Sequence, residues 1–307
     1  MNCFIMSMSN KLGKLVLFAF FALLSIGYAF GQNPIVTENL LPGTPQTAWD
    51  SHDNAPIEGF AQEFSVNKGE TVHFKIDVES AVTLMPYTVK IYRLGWYQGN
   101  GARYITDLGN TLSGNLQQPF NIQSSSGKVD CNNWTVSTSW AVPTTAVSGV
   151  YIARLDCPSL SAKSIVLFVV RDDNPTTPAP ILFKTSDATW QAYNKYGGNT
   201  FYGADIPVPG FTHATKVSYQ RPLHLRTDKS NFFNAEYSMI RFLEKNGYHV
   251  SYTTDMDMAR DASVITPAKN TQRGVAADRA VGHRHRTLVI YAAAECIRVT
   301  GGIVANA

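Results

Sequence analysis

Residues 188–203 read Ala-Thr-Trp-Gln-Ala-Tyr-Asn-Lys-Tyr-Gly-Gly-Asn-Thr-Phe-Tyr-Gly. The stretch gathers the indole of Trp190, the amide of Asn194 and the phenols of Tyr193, Tyr196 and Tyr202, with Gly197 and Gly198 free to turn the backbone. Phenolate oxygens are hard ligands for trivalent iron, so the stretch has the chemistry of a metal or small-ligand loop. The alternative is an aromatic cluster that packs a surface between two domains. Residues 91–103, Ile-Tyr-Arg-Leu-Gly-Trp-Tyr-Gln-Gly-Asn-Gly-Ala-Arg, form the other unusual text. Exposed there, Trp96 and Tyr97 would make a platform for glycans or surface polymers. Packed, they would form a hairpin corner.

Other candidates are weaker. Cys131 and Cys157 are close enough in sequence to pair in an oxidising compartment; the alternative is two buried thiols. His283 stands in a Gly-His-Arg-His-Arg run that has the residue types of a metal or phosphate site and the look of a solvated basic tail. Ser51-His52-Asp53 has triad residue types, but adjacent residues of an extended chain point to opposite sides. No Gly-x-Ser-x-Gly elbow, His-Glu-x-x-His pair, Gly-x-x-x-x-Gly-Lys loop or Cys-x-x-Cys pair occurs.

The elements that must position these residues change grammar along the chain. From 60 to 170 short apolar runs alternate with turn clusters, and Val72, Phe74, Ile76 and Val78 show the period of two of a half-buried strand. Strands are expected at 61–66, 71–78, 87–94, 149–155 and 164–170, which makes 32–172 an antiparallel, immunoglobulin-like β-sandwich. Three prolines in 173–180 read as a stiff linker. Beyond it, a strand at 181–183, a helix at 234–246 stopped by Gly247, a strand at 249–253 and a helix opening at Asp255 read as the start of a parallel α/β domain, 181–268. Ligand sites of such sheets lie at the strand C-termini, where residues 188–203 fall.

Composition sets the compartment. The chain has 307 residues, 44% hydrophobic and 16% charged, which excludes a disordered polyampholyte. Its net charge of +3 comes from the ends: +2 in 1–31 and +4 in 269–307, leaving the middle at −3, so the basic balance is no argument for a nucleic-acid partner. Lys11 and Lys14 precede an apolar run at 15–30, shorter than the roughly 20 residues that span a bilayer. Ala29 and Gly31 suit cleavage before Gln32. Residues 1–31 are therefore expected to be a cleaved signal peptide, and the mature chain to be secreted or periplasmic with no stable membrane span.

Residues 91–103, the block 190–202 and the run from Phe232-Phe233-Asn234-Ala235-Glu236 to Asp255-Met256-Asp257 together resemble the large-subunit family of N,N-dimethylformamidase, in family order over about 57–268. The resemblance implies a β-sandwich before an amidotransferase-like α/β domain, and hydrolysis of a small formamide's C–N bond by one iron held by two tyrosines and a glutamate. It carries the ligand role to Tyr193 and Tyr196, without saying which of them binds. Trp190, Asn194, Trp96 and Tyr97 are expected binding positions. The family's Gly-His-Asp-Glu-Tyr-Trp block, source of an acidic ligand and a proton-transferring histidine, has as its counterpart only Gly282-His283, followed by no carboxylate. Residues 269–307 also lack Phe and Trp and read as a frameshifted or fused tail. On this reading the chain is a truncated relative that binds iron weakly or not at all and is inactive, with a secreted binding module as the alternative. Oligomeric state and any small-subunit partner are not legible.

Overall fold

The computed structural model describes residues 33–50, 56–78, 85–109, 112–113, 119–203, 212–224, 232–261 and 288–291. The expected signal segment, His283 and the 269–307 tail apart from 288–291 lie outside them.

The described chain is mostly β-sheet with a few helices. Its strands, in chain order, are β1 (Ile57–Ala61), β2 (Ser65–Asn67), β3 (Thr71–Val78), β4 (Pro86–Leu94), β5 (Ala102–Asp107), β6 (Leu112–Ser113), β7 (Asn121–Gln123), β8 (Lys128–Asp130), β9 (Thr138–Ala141), β10 (Gly149–Cys157), β11 (Ala162–Arg171), β12 (Ile181–Lys184), β13 (Val250–Thr253) and β14 (Leu288–Tyr291). The helices of six or more residues are α1 (Pro34–Asn39), α2 (Asp187–Tyr193), α3 (Tyr237–Lys245) and α4 (Asp255–Arg260).

Strands β1, β3 and β9 make one antiparallel sheet; β2, β11, β10, β4 and β5, with β6 beside β4, make a second, mixed sheet in which β2 runs parallel to β11 and the other pairs are antiparallel. The apolar alternation of β3 does what its period requires: Val72, Phe74, Ile76 and Val78 are buried and face Val89, Leu155, Val166 and Phe168 of the second sheet in one core. The Phe74 and Phe168 rings meet edge to face at 5.5 Å. The strand expected at 61–66 is two strands, because the chain crosses there from the first sheet to the second: Ala61 pairs with Phe74, and Ser65 with Val169.

The larger sheet is covered on its other face too. Tyr92, Leu94, Ile152, Leu167 and Val169 share a core with Phe183, Trp190, Ile240, Leu243 and Tyr252. This double burial explains why β10 and β11 read as nearly unbroken apolar runs. Strands β13, β12 and β14 form a parallel sheet in that order, so residues 288–291, from the segment that reads as foreign, supply its third strand. The helix expected at 234–246 is broken at Glu236, whose side chain turns inward to Ser186 and Trp190, and α3 begins after it.

Candidate functional site

The loop after α2 is held from below. Asn194 ends the helix in an extended conformation, and its side-chain oxygen accepts the backbone N–H groups of Tyr196 (3.1 Å) and His224 (3.2 Å). Its amide nitrogen donates to Pro222 O (2.9 Å) and Gln191 Oε1 (3.2 Å). Arg221, 1% exposed, donates to three carbonyls of the same loop: Gln191 O (3.0 Å), Tyr196 O (3.1 Å) and Asn199 O (3.1 Å). Burial draws its pKa down to about 10 against the pull of Cys131, Asp130 and Tyr196. The turn at Tyr196 needs glycine after it. Gly197 has φ +71°, and a Cβ there would stand 2.5 Å from Val129 Cγ1.

The two tyrosines that share this loop occupy different surroundings. Tyr193 is half-buried, its ring stacked on Tyr202 at 4.3 Å. Tyr196 is buried, its ring edge-on to Phe120 (5.9 Å) and His224 (5.3 Å). Burial, foremost, with Glu58 and Cys131 beside its phenol, raises its pKa well beyond the ordinary phenol range. His224 Nε2 stands 3.8 Å from Glu58 Oε2. A phenol, a carboxylate, an imidazole and a thiol thus converge from four separate segments. Among the described residues no three His, Cys, Asp or Glu side chains are spaced to hold a metal ion by themselves.

The expected Cys131–Cys157 disulfide is not formed. Both cysteines are free and buried. Cys157 lies in the core shared by the first two sheets, while Cys131 belongs to a separate cluster with Phe60, Trp134 and Tyr196. Each thiol was pulled into its own apolar pocket, and burial pushes Cys131 up to about 12, away from reactivity at neutral pH.

A second polar group occupies the C-terminal ends of β12 and β13, and sequence reading missed it. Asp187, fully buried, accepts from Thr185 Oγ1 (2.7 Å), Tyr219 Oη (2.8 Å) and the backbone N–H of Asp255 (2.7 Å) at the start of α4. Lys184 pairs with Asp255. Glu236, also without exposure, accepts the N–H of Ser186 (3.0 Å) and the indole N–H of Trp190 (2.9 Å) through Oε1, while Oε2 meets no partner. Burial is the main cause that raises Glu236 to about 8 and Asp187 to about 6. Trp190 is therefore a core ring, packed on Phe64 and Phe232, that orients a carboxyl.

Residues 91–103 turn largely inward. Tyr97, with no exposure, donates to Glu38 Oε1 (2.7 Å) and accepts from Arg93 (3.1 Å). Arg93 forks onto both oxygens of Glu244 on α3 (2.8 and 3.0 Å), which Tyr252 (2.7 Å) and Asn39 (2.9 Å) also reach. Trp96 is half-buried, with Arg241 at 5.3 Å and Lys245 at 4.8 Å from its ring.

Residues 88–272, which span both cores and the Tyr196 loop, match the family model described as N,N-dimethylformamidase beta subunit-like, C-terminal. The chain belongs to that family. The matched residues include β10, β11, β12, α3 and β13, which share one core. Glu58 lies outside the matched residues, whereas Cys131, Tyr193, Tyr196 and His224 lie within. No curated protein matches the chain. Among solved structures, an alkylpurine DNA glycosylase from Pseudomonas fluorescens bound to DNA containing an abasic-site analogue is similar at 13% identity and a TM-score of 0.24. That match covers 40% of this chain and 31% of the other, and it carries no argument.

The sites missed in the sequence had faint signals. Glu236 and Asp255 stood in runs singled out for their resemblance, and Asp187 immediately precedes the aromatic block. Glu58, Arg221 and His224 gave none, because their meaning is only spatial. Among the described residues no helix is long and apolar enough to cross a membrane.

Proposed function

We propose that this chain is an exported hydrolase of small amides, an immunoglobulin-like sandwich joined to an amidotransferase-like α/β segment, with its site at the Tyr196 loop. The observation that carries the reading is the Tyr196 phenol at the loop after the first parallel strand, with Glu58 and His224 beside it. The family's iron suits such a donor set, in which phenol and carboxylate oxygens are hard and imidazole is a general ligand for iron. Tyr196 and Tyr193 are the candidate protein ligands. Bound iron would supply Lewis acidity toward an amide carbonyl and an activated water.

The chain's own groups do the rest. Arg221 and Asn194 fix the loop, so that the phenols are presented by a rigid backbone rather than by a mobile tip. The stacked rings of Tyr193 and Tyr202 make an apolar wall suited to the methyl groups of a substituted formamide. Expected inactivity rested on the want of an acid in 269–307; Glu58 is a carboxylate already at the phenol.

Amine release from a panel of formamides, N,N-dimethylformamide included, checks the reading on iron-loaded protein. Turnover is expected and should be lost in Tyr196→Phe. No release from any formamide by protein that holds iron would overturn it. Intact mass of the exported protein should begin at Gln32; retention of residues 1–31 would overturn the export part.

A further inference from the structure

We infer that the outer face of α1 and α3 is a docking surface for an anionic phospholipid membrane, on which the protein lies peripherally. The inference stands apart from the amide chemistry proposed above.

A helix laid on a core needs one apolar stripe. In α3 that stripe is Tyr237, Ile240 and Leu243, all buried. Phe242 lies on the opposite side and Met239 precedes it by one turn, both exposed, so α3 is apolar outward as well as inward. In α1 and the two residues after it, Ile35 is buried while Val36, Leu40 and Leu41 are exposed. Among the described residues nine large apolar side chains are exposed, and six of them, Tyr248 included, belong to these two elements and the few residues that follow them. The two elements adjoin. Asn39 Nδ2 donates to Glu244 Oε2 (2.9 Å), and a Cβ on Gly247 would stand 3.4 Å from Val36 Cγ2. Exposed apolar side chains scattered singly need no explanation, whereas a gathered set marks a contact surface.

Charge selects the occupant. Within 34–42 and 237–248 the acids are Glu38 and Glu244, both buried, the first against Arg103 and the second against Arg93. The cations Arg241 and Lys245 lie over the Trp96 ring beside the apolar side chains. A face with cations and no exposed carboxylate complements an anionic lipid surface. A second copy docked on the same face would leave the cations of both copies without a counter-charge. Leu40, 75% exposed, and Phe242, 54% exposed, stand up as a ridge rather than line a groove for a peptide. Such a ridge enters the headgroup layer, where indole and phenol rings are at home and Lys and Arg stems reach to phosphate. α3 has nine residues, far fewer than the roughly 20 that span a bilayer, so the contact is with the surface alone.

The exported chain can be sedimented with vesicles of equal parts phosphatidylglycerol and phosphatidylcholine, and with vesicles of phosphatidylcholine alone. Binding to the anionic vesicles only is expected, and it should weaken as salt is raised. Lys245→Glu and Phe242→Ser should each reduce the affinity roughly tenfold, with unchanged thermal unfolding, because both side chains are already exposed. Hydrogen exchange in residues 36–42 should slow on the vesicles. No binding to anionic vesicles, wild-type binding by both variants, or binding of polyglutamate in place of vesicles would overturn the inference. A dimer in lipid-free solution that Phe242→Ser dissociates would also overturn it and assign the face to a second copy.

Discussion

Two groups of buried polar residues divide the molecule, and they differ in how completely they are closed. Around Glu244, an arginine, two tyrosines and two residues of α1, Glu38 and Asn39, converge, and neither the Arg93 nor the Glu244 side chain retains any exposure. Both oxygens of Glu244 are occupied, and of the Arg93 nitrogens only Nε lacks an acceptor. Around Tyr196 polar side chains meet more loosely: Glu58 and His224 reach water, and their nearest approach is not a hydrogen bond. A saturated network in low dielectric serves geometry, because it has no valence left for a ligand. An incompletely saturated one at the surface does.

The contrast is broken most severely at its closed end. Glu244→Gln or Arg93→Met would strand a buried charge or donor, and about 3–5 kcal/mol should be lost in urea unfolding. Gly95→Ala should act in the same direction, since its methyl would collide with Glu244 Oε2. If these variants unfold like the wild type, the network is not what joins α3 to the sheet.

The carboxyls at the strand ends sharpen the comparison through pH. Glu236 is protonated in the folded chain up to about pH 8 but only to about 4.5 once unfolded. The native state therefore holds more protons between those values, and stability must fall as pH rises through that window. Asp187 adds the same sign between its ordinary value of 3.8 and about 6. Unfolding free energy should drop by up to several kcal/mol between pH 4.5 and 8, and Glu236→Gln should flatten the upper part of the slope. A slope unchanged by that substitution would count against a neutral Glu236.

Smaller effects belong to the open end and to the rim of the closed one. Arg221→Met removes the donors of three buried carbonyls and should cost about 1–3 kcal/mol, with faster proteolysis in residues 191–203. Trp96→Ala, at the surface of the closed group, should cost only about 0.5–1 kcal/mol by loss of its two cation contacts. A larger loss would place Trp96 inside the network rather than on its rim.

Much of the fold was legible because period is local information. Residues 71–78 declare a half-buried strand, and α3 and β13 follow from apolar spacing and a glycine stop. The pairing of Cys131 with Cys157 misled, since sequence separation sets reach but not which pocket each thiol enters. Trp190 and Tyr97 looked like ligand surfaces because aromatic rings are equally suited to a binding face and to a core, and burial alone tells the two apart.

By itself the sequence determined the strand texts, the change of grammar at 173–180, the family and the loop that bears Tyr193 and Tyr196. Tertiary structure alone decided that the larger sheet is covered on both faces, that Glu58 and His224 stand at Tyr196, and that Glu236 is sealed from water. Period, composition and motif order depend on neighbours along the chain, whereas a site built from residues 58, 131, 196 and 224 comes into being only when distant segments are brought together by the burial of their apolar faces.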